Sequence, residues 1–88
     1  MNLLQIKNNE YAVIESIPDD ESGKRLEALG LRVGKRIHKI SGMPWSGPIT
    51  VELDGRHFAV AHNVAVQIRV TPTPILNSPE PLQVLPQP

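Results

Sequence analysis

The chain has 88 residues, 40% of them hydrophobic, with nine basic and nine acidic side chains and no cysteine. That length suffices for one small domain. The balanced charge argues against a dedicated nucleic-acid binder, which carries a basic surplus. Without cysteine there is no disulfide scaffold, thiolate metal site or cysteine nucleophile, which suits a cytosolic protein.

The first residues, MNLLQIKNNEY, lack the apolar run of a signal peptide, and no 18-residue apolar span exists anywhere, so no membrane insertion is expected. Residues 10–17, EYAVIESI, are β-branched and aromatic and predict a strand with Ala12, Ile14 and Ile17 inward; Pro18 ends it. DDESGKRLEALG follows, acidic first and basic later, which suits a helix dipole. Asp19 or Asp20 is the expected cap, Leu26 and Leu29 form an apolar i, i+3 pair, and Gly30 is placed to end the helix with Leu31 packing behind it.

Beyond Gly34 the pattern is all strand. Residues 36–40 make one candidate, 49–53 alternate strictly, and Asp54-Gly55 is a hairpin turn signal. Residues 57–61 return, 62–65 suit a short 3₁₀ connector, and 66–70 alternate again. Five short strands with one helix after the first predict a mainly β fold, a small antiparallel barrel whose closure removes exposed edges. Residues 72–88 hold six of the nine prolines and a single charge, Glu80. Such a composition builds no hydrogen-bonded ladder, so a domain over 1–71 and a proline-rich, largely disordered tail over 72–88 are expected.

Several short elements share an order and spacing with one family. Arg25-Leu26, then Leu29-Gly30-Leu31 and Gly34, form one; Pro44 with Gly47-Pro48-Ile49 forms a second; Gly55, Phe58-Ala59-Val60, Ala65, Ile68 and Val70 form a third. Together they resemble the FeoA family of bacterial ferrous iron transport, over residues 3–70. Ser46 departs from the usual first glycine of the loop. The resemblance implies an SH3-like barrel in which Leu26, Leu29 and Leu31 plug one open end and Gly30, Gly34, Gly47, Pro48 and Gly55 shape the turns. It implies a non-catalytic cytosolic accessory protein whose partner is the cytosolic part of FeoB, the GTP-dependent membrane iron transporter, at the inner face of the membrane. The alternative it offers is a stand-alone regulatory module, because similar domains occur in metal-dependent repressors.

No phosphate-binding loop or nucleophile motif marks an enzyme: Gly30-Leu31-Arg32-Val33-Gly34 lacks the Lys-Ser/Thr of a P-loop. His38, His57 and His62, with Glu52 and Asp54, are the potential metal ligands. Their strand positions make the histidines outward and scattered, so no metal site or cofactor is assigned, although a divalent ion bridging two molecules is compatible with them. Charge points instead to a partner. Lys24, Arg25, Arg32, Lys35, Arg36 and Lys39 place six of the nine basic residues within sixteen positions, a patch suited to an acidic protein surface. A nucleic-acid-binding barrel is a third reading, but only Tyr11, Trp45 and Phe58 offer stacking platforms. The lone tryptophan sits in Met43-Pro44-Trp45-Ser46-Gly47-Pro48, where prolines direct a loop outward. An indole held there is expected to be exposed, which makes Met43, Pro44 and Trp45, with Arg32, Lys35 and Arg36, the candidate partner-binding residues, for a transporter or for a second copy of the chain.

Overall fold

The structure is a computed structural model that describes residues 1–43 and 45–73. The expected tail lies outside these from residue 74 onward, as does Pro44.

Five antiparallel strands, β1 (Tyr11–Ser16), β2 (Arg36–Met43), β3 (Ser46–Leu53), β4 (Arg56–Val60) and β5 (Arg69–Thr73), form one sheet in the order β4-β3-β2-β1-β5. Helix α1 (Glu21–Leu29) follows β1 and a single helical turn, α2 (His62–Ala65), precedes β5. The mainly β class and the inserted helix therefore match the sequence pattern. Alternation places Ala12 and Ile14 of β1, Ile37 of β2, Ile49, Val51 and Leu53 of β3, Val60 of β4 and Val70 of β5 in one core. Ile17 is only partly buried and packs at its margin.

Local chemistry explains the boundaries. Asp20 caps α1 by accepting from the Ser22 and Gly23 amides at 3.0 and 3.2 Å. Gly23 looks out of place in a first helical turn, but a Cβ there would collide with the carbonyl of Pro18. At the other end the Gly30 amide donates to Glu27 O and the Leu31 amide to Leu26 O, a Schellman-type ending with Gly30 at φ 100°. Asp54 and Gly55 take φ 53° and 82°, the paired positive values that a two-residue hairpin of right-handed twist demands. Gly34 and Gly47 are left-handed as well.

Three expectations are corrected. Leu26 and Leu31 do seal the core, at 6% and 2% exposure, but Leu29 is 46% exposed and plugs nothing. The last strand is shifted, because Val66 and Gln67 still belong to the turn that leaves α2, and β5 runs on through Pro72 and Thr73. As β5 is the end strand of the ladder, the missing N–H of Pro72 is tolerated there. The third correction concerns closure. No β4–β5 ladder exists among the described residues; instead the free edge of β5 is covered by the N-terminal segment. Asn2 bridges Arg69, the Leu3 amide donates to Ile68 O, and the Val70 amide donates to Met1 O. Leu3, Leu4 and Ile6 of that segment are fully part of the core.

Candidate functional site

The stretch between β2 and β3 expected to be a loop is mostly strand. β2 extends to Met43, β3 starts at Ser46, and these two residues are register partners. Two irregularities in the ladder, around Ser41 and Met43, absorb the mismatch. The result is a hairpin arm carrying Met43, 56% exposed, and Trp45, 73% exposed, at its tip. Gly47 and Pro48 lie on the exposed first part of β3, where a residue without an amide hydrogen is not costly.

The basic cluster is broken up by the fold. Lys39 faces the core at 1% exposure, since it alternates with Ile37 on the inner side of β2. Its Nζ donates to the carbonyls of Leu3, Leu4 and Ile6 at 3.1, 3.3 and 2.8 Å. Burial pushes its pKa below the usual lysine value, with the charge of Glu10 opposing. It is a clamp on the N-terminal segment, and not a surface charge. Lys24 and Arg25 lie exposed on α1, while Arg32 and Lys35 lie exposed in the turn before β2. Arg32 Nε donates to Glu27 O at 3.2 Å, and Lys35 pairs with Asp54 at 3.6 Å. Arg36 stands at the first position of β2, seven residues from Met43. At strand rise this separates the basic residues from the hairpin tip by roughly 20 Å, so the two halves of the candidate partner surface are not contiguous.

The sequence offered Tyr11 as an aromatic platform and His38 as an outward histidine, with nothing to join them. The β1–β2 register makes them direct partners, and their rings stack at 4.2 Å and 5°. The guanidinium of Arg36 lies over the other part of this stack, 4.5 Å from the Tyr11 centroid. His38 Nδ1 is 3.4 Å from Glu52 Oε1 on β3. The signal for this row was present as the i, i+2 spacing of Arg36 and His38, but only the register supplies Tyr11. His57 faces Glu52 from β4, yet among the described residues no three His, Asp or Glu side chains gather as potential metal ligands. Nor is any described helix long and apolar enough to cross a membrane.

A five-stranded antiparallel sheet with one helix after the first strand and a helical turn before the last is the architecture of a small SH3-like domain. The family model described as the FeoA domain matches residues 1–72, and the chain belongs to that family. Its fold is shared by Stenotrophomonas maltophilia FeoA complexed with zinc, at 26% identity and TM-score 0.70, covering 81% of this chain and 89% of that one. That protein is described as a prokaryotic SH3 domain protein possibly acting as a bacterial ferrous iron transport activating factor. FeoA from Chlorobium tepidum matches with 28% identity and TM-score 0.71, over 80% of this chain and 68% of the other. The manganese regulator SloR matches in fold, with 22% identity and TM-score 0.70; 83% of this chain aligns with 34% of the regulator. A search of curated proteins gave no match.

Proposed function

We propose that the chain is a non-catalytic cytosolic accessory module of ferrous iron transport. In this reading it docks through the tip of the β2–β3 hairpin onto the cytosolic part of a FeoB-type GTP-dependent transporter, and is thereby recruited to the inner face of the membrane. Membership of the FeoA family supports the transport context. The observation that carries the docking reading is Trp45, 73% exposed beside an exposed Met43. An indole left in water gains nothing for folding, whereas tryptophan is among the residues that dominate binding energy once buried against a partner. Calorimetric titration of the purified protein against the soluble cytosolic portion of such a transporter tests it. Trp45→Ala should weaken binding at least about tenfold, as expected for an anchor residue. Equal affinity of the two proteins would remove the hairpin tip from the interface, and no measurable binding of either would remove this partner.

The fold match to a manganese regulator favours a second reading, a stand-alone module acting on a metal-dependent repressor. Binding to a repressor but not to the transporter portion would select it. Concentration-dependent sedimentation that disappears in Trp45→Ala would instead assign the indole to self-association.

A further inference from the structure

Arg36 is held on the outer face of β2 by stacking on Tyr11, which is itself stacked on His38. Two of its nitrogens, Nε and Nη2, are buried without a hydrogen-bond partner among the described residues. They belong to one edge of the guanidinium. Together they make the side-on fork whose two parallel N–H groups match the two oxygens of a carboxylate. A buried donor pair left unmade costs free energy that an arriving acceptor recovers. Arg36 lines an open cavity of about 330 Å³ together with Tyr11, His38, Glu52 and Asp54.

The acids already present do not fill the fork. Asp54 is drawn to Lys35 at 3.6 Å and Glu52 to His38 at 3.4 Å. Their negative charges also select the ligand. A phosphate dianion entering beside Glu52 and Asp54 meets about twice the repulsion that a carboxylate monoanion does. The planar fork favours the planar anion as well.

We propose that Arg36, presented on the Tyr11–His38 stack, is a receptor for a single Asp or Glu side chain on a partner protein, the guanidinium edge turning into the cavity as the acid enters. This deepens the reading of the chain as a docking module and rests on it. It gives the module a second anchor, roughly 20 Å along β2 from the indole. The Tyr11 ring keeps the guanidinium plane in place while its edge turns, so less side-chain freedom is lost on binding.

The test is an NMR titration of the full chain, following the Arg36 Nε–Hε signal with a blocked aspartate (N-acetyl-aspartyl-N-methylamide), the blocked asparagine equivalent and inorganic phosphate as probes. The blocked aspartate should shift Hε saturably, with an apparent affinity at least about tenfold above that of either other probe. Arg36→Lys keeps the charge but loses the fork, and the Tyr11 and His38 ring signals of that variant should respond at least about tenfold more weakly. No Hε shift, a tighter response to phosphate, or equal response to the asparagine probe would each overturn the proposal. So would an Hε signal of the free protein that changes in Glu80→Gln, because the occupant would then be the only charged residue after Thr73 in the same chain. The titration involves no transporter, so its failure leaves the Trp45 binding assay intact, and failure of that assay leaves the titration intact.

Discussion

Lys39 and Trp45 lie six residues apart on one hairpin, and each occupies the environment usual for the other. The lysine is 1% exposed and the tryptophan 73%. The difference lies in what passes over each position. Lys39 faces inward where the N-terminal segment crosses, and three backbone carbonyls of that segment converge on its ammonium. Trp45 sits at the tip of the β2–β3 hairpin, where no described residue covers it. Residue type therefore predicts burial less well than the layer above the strand does. A polar group is tolerated inside when its hydrogen bonds are complete, and an apolar one persists outside when a partner can use it.

The largest effect should come from breaking the buried end of this comparison. Lys39→Met keeps most of the stem but strips three carbonyls of their donor, and should cost about 3 kcal/mol or more, read from the urea midpoint. A loss below about 1 kcal/mol would show that water replaces the ammonium and that the N-terminal segment needs no clamp. Next in size are the leucines of α1. Leu26→Ala should cost about 2–4 kcal/mol, and Leu29→Ala less than about 1 kcal/mol, because only the first is buried. Equal losses would place the helix differently on the sheet. At the exposed end, Trp45→Ala should move the unfolding free energy by less than about 0.5 kcal/mol. A loss above about 2 kcal/mol would mean that the indole packs on the domain after all.

The smallest expected effect is a pH dependence at the cap of α1. The Ser22 hydroxyl, then the Gly23 amide, hold the Asp20 carboxyl below its usual 3.8. A carboxylate depressed in the folded state stabilises it above that value and loses the contribution as pH falls through the lower folded value. Urea midpoints of the native protein should therefore fall more steeply below pH 3.8 than those of Asp20→Asn. Parallel curves would show that the cap carries no net charge preference.

What the sequence made legible was local. A cap at Asp19 or Asp20, of which the structure uses Asp20, the Gly30-Leu31 ending, the Asp54-Gly55 turn and the alternation in β3 each depend on residues within a few positions of one another, and all stand in the structure. Leu29 was misjudged because an i, i+3 pair on a helix of under three turns does not say which member faces inward. The left-handed turn at Gly30 settles that by directing Leu31 to the core instead. The burial of Lys39 had no local sign at all, since its acceptors lie 33 to 36 residues away. The Arg36–Tyr11–His38 stack was hidden for a related reason: each residue reads as outward alone, and only strand register makes them neighbours.

The covered edge of β5 also sets an order of events for the chain as it folds. Residues 1–3 are fastened by residues 68–70, so two segments nearly seventy positions apart must meet. Leu3, Leu4 and Ile6 cannot desolvate durably until about seventy residues are available. Contacts of such sequence separation must meet the entropy of closing nearly the whole loop before they return any energy, which favours slow, all-or-none folding despite the small size. Without β5, β1 would present an unpaired edge, and residues 1–3 would lack their backbone partners. Pairing of Arg69–Thr73 with β1 removes that edge and its liability to pair with other chains.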